Sequence, residues 1–241
     1  MTPRLPIPLL DDSQVFVLTG AGISAESGLA TFAGGGGLWA GHDVNDVATR
    51  AGFLRNPAGV WRFYSELRQQ AAAATPNRAH RALAAFEAAL GPRLFLCTQN
   101  VDGLHEAAGS QNLIHLHGEL TNTCCTRCNR DAFDDPGVYF DGAPTCNECG
   151  GLLRPDICWF GELPYALGIV YDQLALATHL IAVGSSGSVH PAAGFARDAR
   201  RLGHLARAIY VGLERPENAD DFDQCVLGNA TDLVPQLFAL A

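Results

Sequence analysis

Four cysteines are the residues of this 241-residue chain whose spacing points most directly to chemistry. Cys125 and Cys128 are separated by two residues, as are Cys146 and Cys149, and seventeen residues lie between the two pairs. This spacing is typical of a structural zinc site, because two such pairs supply four thiolates at the corners of a tetrahedron. When all four ligands come from the protein, no position stays open for a substrate. The sequence therefore predicts one structural zinc.

A glycine-rich turn follows the first apolar run of the chain. Residues 14–19 are predicted to form a buried strand that leads into the segment GAGISA, which starts at Gly20. That segment fits the dinucleotide pattern G-x-G-x-x-G/A, in which glycines let the backbone approach a pyrophosphate and a helix N-terminus meets its charge. A dehydrogenase would have a strand ending in an acid about 20 residues further on. Here the glycines of 34–37 predict a closing loop or a slack linker instead.

Polar side chains at the end of another apolar run form a second candidate site. The segment TQNVD, which ends at Asp102, begins at the last residue of the apolar run over 93–98. Ligands of open α/β sheets bind beyond the carboxyl ends of the strands, where these side chains are expected. For Asp102 the alternative is a cap of the next helix. His115 and His117 are candidates for a general base, because the pKa of an imidazole is near neutral, and a structural histidine is the alternative.

Short apolar runs alternate with helical stretches along most of the chain, which is the pattern of an α/β fold with a doubly wound parallel sheet. The predicted strands cover 14–19, 93–98, 180–184 and 208–212, and the predicted helices cover 57–74, 77–90, 165–178 and 192–205. Two segments break this alternation, and we expect them to form a smaller lobe. The sheet domain would then consist of 1–33, 76–119 and 155–241, and the small lobe of 34–75 and 120–154.

Composition and charge argue against several classes of protein. Hydrophobic residues make up 48% of the chain, which excludes disorder over its whole length. No apolar run reaches the length of about 18 residues that a membrane span needs. The N-terminus lacks the features of an export signal, so a cytoplasmic protein is expected. The net charge of −9, with no basic face on the cysteine segment, argues against nucleic acid as a partner.

Several motifs together resemble those of a known family. The segments GAGISAESG at Gly20, TQNVDGLH at Thr98 and LHG at Leu116 are similar to those of the sirtuins, which are NAD-dependent protein lysine deacylases. The four cysteines and the segments WFGE, GSS and PAAGF extend the resemblance over nearly the whole chain, in the family's order. Within the family, the chain resembles the bacterial and mitochondrial class.

This resemblance implies a fold and a reaction. A Rossmann-like domain and a small lobe, made of a zinc ribbon and a helical module, would enclose NAD and an acylated lysine segment of another protein. The acyl oxygen would attack C1′ of the nicotinamide ribose and expel nicotinamide. His117 would be the general base for the ribose hydroxyls, and Asn100 and Asp102 would hold the ribose and the carboxamide. Water would complete the reaction, giving free lysine and O-acyl-ADP-ribose. A monomer is expected.

The resemblance also implies two sets of binding residues. The NAD contacts would come from Gly20, Ala21, Gly22, Glu26, Phe32, Trp39, Gln99, Asn100, Val101, Asp102, Gly184, Ser185, Ser186, Gly212 and Ala230. The acyl-lysine contacts would come from Ala48, Tyr64, Leu67, Ile157, Trp159, Phe160 and Gly161. Aromatic walls suit an acylated lysine because a charged ammonium would lose its hydration there.

Three positions depart from the family's patterns. In relatives that accept succinyl groups, a Tyr-x-x-Arg pair holds the distal carboxylate. Here Tyr64 is followed by Leu67 where that arginine is expected, and Arg68 lies about 100° further around a helix. We therefore expect a neutral acyl pocket, and general deacylation in preference to desuccinylation. Ala33 replaces an arginine and Gly212 replaces an asparagine, which predicts weaker NAD binding or altered turnover.

Two other functions stay open on the sequence. The chain could consume NAD without deacylation, as a mono-ADP-ribosyltransferase or an NAD glycohydrolase. It could also be a weakly active NAD-sensing module, which the departures at Ala33 and Gly212 favour.

Overall fold

A computed structural model describes residues 5–33, 38–128 and 130–238, with residues 32, 33 and 38 as backbone only. The glycine run of 34–37, predicted to be a loop or a linker, lies outside the described residues. In chain order, the strands are β1 (Val15–Thr19), β2 (Phe32–Ala33), β3 (Leu38–Trp39), β4 (His42–Asp43), β5 (Leu94–Thr98), β6 (Leu113–His115), β7 (Gly118–Cys125), β8 (Phe133–Asp134), β9 (Leu153–Ile157), β10 (His179–Val183), β11 (Arg207–Gly212) and β12 (Gln224–Leu227). The α-helices are α1 (Val44–Val47), α2 (Arg50–Arg55), α3 (Pro57–Ala73), α4 (Arg78–Leu90), α5 (Leu104–Ala108), α6 (Leu167–Leu176), α7 (Phe195–Leu202) and α8 (Ala230–Leu233).

The larger sheet confirms the predicted doubly wound architecture. Its strand order is β12-β11-β10-β1-β5-β6, and every neighbouring pair is parallel. The side chains of β1 alternate between two cores, as a strand buried on both faces requires. Val15 and Val17 pack on the side of α4 and α8, whereas Phe16 and Leu18 pack on the side of α6 and α7. Helices therefore cover both faces of the sheet.

The two long helices begin where the sequence provides caps. The side chain of Asn56 accepts a hydrogen bond from the amide of Gly59 at 2.9 Å, and Pro57 occupies the first turn of α3. Asn77 forms a capping box with His80 at the start of α4. Within the described ranges, no helix has both the length and the apolar character that crossing a bilayer requires.

The second, smaller body of the structure combines helices α1–α3 with an antiparallel sheet of order β8-β7-β9. Aromatic side chains, among them Trp61, Phe63 and Trp159, join the two parts in one core. Strand β7 begins at Gly118 and β9 ends at Ile157, a few residues outside the predicted limits of 120 and 154. The antiparallel sheet of the small lobe therefore includes a few residues, at the start of β7 and the end of β9, that the sequence analysis assigned to the sheet domain.

Candidate active site

The carboxyl ends of β1, β5 and β10 border a cleft of about 770 Å³ between the sheet domain and the small lobe. This volume lies within the usual range of ligand sites. The predicted site residues that line the cleft are Gly20, Ala21, Gly22, Glu26, Trp39, Ala48, Leu67, Gln99, Asn100, Val101, Asp102, His117, Ile157, Trp159, Phe160, Gly161, Gly184, Ser185, Ser186, Gly212 and Ala230. The side chain of Phe32 lies outside the described part of the chain.

Glycines hold the loop after β1 against the loop after β10. A Cβ atom on Gly22 would stand 2.7 Å from Cα of Gly184, and one on Gly20 would stand 2.8 Å from the carbonyl oxygen of Gly184. Gly184 itself has a φ of 64°, which favours glycine. The expected α-helix N-terminus is replaced by two short 3-10 turns, Ala21–Ile23 and Ala25–Ser27. The glycines thus allow close contact between two loops.

Ser24 joins the two polar side chains at the end of β5. Its hydroxyl donates to Oδ2 of Asp102 at 3.0 Å and accepts from Nδ2 of Asn100 at 3.2 Å. Nδ2 of Asn100 also lies 3.2 Å from the carbonyl oxygen of Gly20. Oδ1 of Asp102 accepts from the amide of Leu104, the first residue of α5, at 3.1 Å, so Asp102 contacts the start of this helix and also lines the cleft. Burial raises the pKa of Asp102.

Sequence reasoning missed the part that Ser24 and His80 play. His80 accepts from the amide of Asn77 at 3.3 Å through Nδ1, and its Nε2 lies 3.4 Å from the Ser24 hydroxyl. Burial lowers the pKa of His80 to about 4, so the ring is neutral. Ser24 belongs to the GAGISA segment, and this position within a recognised motif was the available signal. No signal in the sequence indicated the contact between Ser24 and His80, because that contact depends on the packing of α4.

His117 has the geometry of a general base. Its Nδ1 lies 3.1 Å from the carbonyl oxygen of Gln99. Since a carbonyl oxygen only accepts, Nδ1 carries the hydrogen and Nε2 is left as the proton acceptor. Burial lowers the pKa of His117, although the bond to Gln99 opposes the shift. The ring is therefore neutral near pH 7, and it lines the cleft.

His115 is placed differently, and it does not line the cleft. Its Nδ1 lies 2.8 Å from the carbonyl oxygen of Asn100, and its Nε2 lies 2.6 Å from Oε1 of Glu106. Burial alone would lower the pKa of His115, but the hydrogen bond and the charge of Glu106 hold it above its ordinary value. Of the two candidate histidines, His115 is thus bonded at both nitrogens, whereas His117 keeps one nitrogen for chemistry.

The part of the cleft lined by Trp159 and Phe160 is held by a bidentate ion pair. Arg154 donates to both oxygens of Glu162, at 2.6 and 2.9 Å, and its guanidinium carbon lies 3.5 Å from the ring centroid of Trp159. Glu162 also accepts from the amide of Trp159 at 2.9 Å. The amide of Phe160 donates to the carbonyl oxygen of Ala48 at 3.0 Å, which ties this wall to the helical module.

Tyr64 does not line the cleft, unlike the other expected acyl-lysine contacts, and its contact with a substrate stays a prediction. It is fully buried behind Trp159, whose Nε1 donates to the Tyr64 hydroxyl at 2.9 Å. Burial raises the pKa of Tyr64, so the phenol is neutral. The reason for this placement is that α3 turns Tyr64 toward the aromatic core, where Trp39, Phe63 and Trp159 surround it.

Leu67 lines the cleft, and Arg68 is turned into the small lobe. The Arg68 guanidinium donates to the carbonyl oxygens of Leu120, Gly137 and Asn122, at 2.6, 2.5 and 3.2 Å. It also lies 3.7 Å from Oδ2 of Asp135. With 5% of its surface exposed, Arg68 is a structural cation of the small lobe.

Two further features shape the end of the cleft near β11. The ring of Tyr210 occupies the space that a side chain at Gly212 would need. Tyr210 lines the cleft, and burial raises its pKa to about 12. At the same end, Glu26 accepts from the amide and the hydroxyl of Thr231, at 3.1 and 2.5 Å, and so fixes the start of α8 beside Ala230.

The four predicted metal ligands come together in the small lobe. Sγ of Cys125 lies 3.5 Å from Sγ of Cys149, and Sγ of Cys128 lies 3.8 Å from Sγ of Cys146. Zinc bound to four thiolates at about 2.3 Å separates the sulfurs by about 3.8 Å, so the cysteines fit a tetrahedral ion. The amides of Arg127 and Cys128 point at Sγ of Cys125, at 3.4 Å each, as expected for a thiolate.

Comparison with known sequences places this architecture in a family. The sequence model of the Sir2 family matches residues 20–191. An NAD-dependent protein deacylase of Caulobacter vibrioides is 48% identical over 227 residues, which are 92% of this chain and 94% of that protein. An NAD-dependent protein deacylase of Pasteurella multocida is 46% identical over 230 residues, which are 94% of this chain and 97% of that protein.

Solved structures give the same result. A Sir2 homologue in complex with NAD superposes with a TM-score of 0.85 at 36% identity, covering 93% of this chain and 88% of that chain. A Sir2 bound to an acetylated peptide superposes with a TM-score of 0.75 at 28% identity, covering 92% of this chain and 90% of that chain. The fold, the length of the match and the identity agree, and the chain belongs to the Sir2 family.

Proposed function

We propose that this protein removes acyl groups from lysine side chains of other proteins in an NAD-dependent reaction. The observation that carries the proposal is the neutral His117, whose Nε2 is free to accept a proton at the edge of the cleft. The names of the relatives, NAD-dependent protein deacylase, support the reaction. The complexes of related structures with NAD and with an acetylated peptide support the two substrates.

The residues of the cleft have different roles in this reaction. NAD supplies the ribose carbon that accepts the acyl oxygen and releases nicotinamide. The amide of Asn100 and the carboxylate of Asp102 hold the nicotinamide end, and Ser24 keeps both in place. Nε2 of His117 takes a proton from a ribose hydroxyl. Trp159 and Phe160 form the wall along which the acyl-lysine lies, held by the pair of Arg154 and Glu162.

We propose a neutral acyl chain as the preferred substrate, from acetyl to longer apolar groups. Leu67 presents an apolar surface to the cleft, and Arg68 is engaged in the small lobe. The hydroxyl of Tyr64 accepts from Trp159. Among the described residues that line the cleft none is a lysine or an arginine, and Arg154 behind Trp159 is paired with Glu162, so a distal carboxylate would lose hydration without gaining a free cation.

The test is a panel of acetyl, butyryl, long-chain acyl and succinyl peptides with saturating NAD, in which peptide and nicotinamide are quantified by mass spectrometry. Neutral acyl groups should be removed at higher kcat/KM than succinyl, and Leu67→Arg should shift the preference toward succinyl. Leu54→Arg is the matched control, because Leu54 is exposed on α2. Release of nicotinamide without loss of the acyl group would reject deacylation. A wild-type preference for succinyl would reject the neutral pocket only.

We also propose that the four cysteines hold one structural zinc. The separations of 3.5 and 3.8 Å between sulfurs and the amide donors to Sγ of Cys125 support a closed thiolate site. All ligand positions are filled by protein, so the ion would stabilise the small lobe and take no part in the reaction. A cytoplasmic location and a monomeric state stay predictions from the sequence.

A further inference from the structure

A second group of metal-ligating side chains lies outside the cleft. It consists of Glu106 on α5, His115 at the end of β6 and Glu119 on β7, and we call it the histidine–glutamate cluster. The ligand atoms of the three side chains all lie within 4.8 Å of one another. Neither the reaction proposed above nor the cysteine site uses these atoms.

The imidazole of this cluster is oriented as in a metal ligand. Nδ1 of His115 donates to the carbonyl oxygen of Asn100, at 2.8 Å, because a carbonyl oxygen only accepts. Histidines that bind metal ions commonly donate their second nitrogen to a backbone carbonyl, which fixes the ring and the tautomer. This leaves Nε2 directed at Glu106, whose Oε1 lies 2.6 Å away.

The charges of the cluster favour a cation at the same point. The side chain of His115 is only 8% exposed. Oε1 of Glu106 lies 2.6 Å from its Nε2, and the ligand atom of Glu119 lies within 4.8 Å of both, so two carboxylates face this nitrogen. Glu119 also accepts from Nδ2 of Asn122, at 3.2 Å. A divalent metal ion would take the place of the single proton between Nε2 of His115 and Oε1 of Glu106.

We propose that the histidine–glutamate cluster binds a first-row divalent metal ion through Nε2 of His115 and one oxygen each of Glu106 and Glu119. One nitrogen and two carboxylate oxygens suit zinc, cobalt, nickel or manganese, and they lack the thiolates that the cysteine site offers. Metal–ligand bonds of about 2.1 Å place neighbouring ligand atoms about 3.4 Å apart in a tetrahedral site and about 3.0 Å apart in an octahedral one. The Glu106 side chain is 40% exposed, so its contact with His115 can open from 2.6 Å to either distance.

The bound ion would act on the fold next to the cleft. It would join α5, β6 and β7, and through His115 it would hold the carbonyl of Asn100. An ion that binds only the folded state raises the free energy of unfolding in proportion to the logarithm of its concentration. We therefore expect the thermal midpoint to rise with added metal.

The experiment titrates the zinc-loaded protein with Co²⁺, followed by equilibrium dialysis, visible absorption and thermal unfolding. We expect one Co²⁺ per chain beyond the zinc, with d–d bands and no thiolate-to-cobalt charge-transfer band. Glu119→Gln should weaken this binding at least about tenfold, and Glu106→Gln and His115→Gln should do the same. Glu66→Gln, an exposed glutamate on α3, is the control that should bind as wild type.

Three results would overturn the proposal. The first is wild-type protein that binds no Co²⁺ at millimolar concentration. The second is cobalt that appears only with a charge-transfer band and with release of zinc, which would place it in the cysteine site. The third is wild-type affinity in Glu119→Gln. That variant keeps the bonds of His115 to Asn100 and Glu106, so a loss of binding in it is not explained by a displaced imidazole.

Discussion

The hydroxyl of Ser24 donates to Oδ2 of Asp102 at 3.0 Å, and this contact joins two loops that are 78 residues apart in the chain. Ser24 lies in the turn after β1, whereas Asp102 lies beyond the end of β5, the neighbouring strand in the sheet. The same hydroxyl accepts from Asn100, so a single side chain sets the positions of both polar residues that border the nicotinamide end of the proposed site.

Ser24→Ala should therefore lower kcat/KM for NAD more than it lowers the stability of the fold. The variant removes a hydrogen bond to a buried carboxylate, which contributes about 1.5–3 kcal/mol, so kcat/KM for NAD should fall roughly 10- to 100-fold. Steady-state kinetics with an acetylated peptide measure the effect. The control is Ser110→Ala, because Ser110 is also buried and its hydroxyl has no partner among the described residues. Equal kinetics in the two variants would contradict the role given to Ser24.

The activity should persist at pH values below the ordinary pKa of an imidazole. His117 acts as a base only when neutral, and burial lowers its pKa, so the neutral fraction stays high as the pH falls through about 6.5. On the acidic side, kcat/KM should therefore fall only below about pH 6.5. His117→Ala should remove deacylation while the protein still binds NAD. An acidic limb centred above pH 7 would show that another group controls the rate.

Arg68→Leu should destabilise the small lobe. The substitution removes the donor to the carbonyl oxygens of Leu120, Gly137 and Asn122 and the cation 3.7 Å from Asp135, and breaking such a buried pair costs about 3–5 kcal/mol. Urea unfolding followed by circular dichroism measures the free energy of unfolding.

The matched control for that measurement is Arg62→Leu. Arg62 is exposed on the same helix, with one contact of 3.5 Å to the carbonyl oxygen of Phe140. Its loss should change the free energy of unfolding by less than about 0.5 kcal/mol. If Arg68→Leu proves equally mild, then Arg68 is not the structural cation that its contacts indicate.

Cys146→Ser should reduce the zinc content of the purified protein. Loss of one thiolate opens the tetrahedral site, and a metal that is bound only in the folded lobe contributes directly to its folding. Elemental analysis should find one zinc per chain in wild type and clearly less in Cys146→Ser, together with a lower thermal midpoint. Cys225→Ser is the control, since Cys225 lies on the strand β12, in the other domain. Equal zinc in both variants would rule out the cysteine site.

Local signals in the sequence were enough for much of the secondary structure. The starts of α3 and α4 were predicted within one residue, because Asn56, Pro57 and Asn77 act within a single turn. Strand β12 was not predicted, since Gln224–Leu227 is a short and partly exposed edge strand without an apolar run. Helix α7 is shorter than predicted, because Ala192–Gly194 forms a 3-10 turn before it.

The sequence by itself determined the doubly wound sheet, the cysteine pairs and the family, since each depends on the order and spacing of residues along the chain. Only the tertiary structure decided which side chains work together. Tyr64 and Arg68 are four residues apart on one helix, yet the first packs behind Trp159 and the second bonds to the carbonyl oxygen of Leu120 on β7. The physical reason is that a helix fixes the angle between its side chains, whereas the elements packed around it determine what each of them meets.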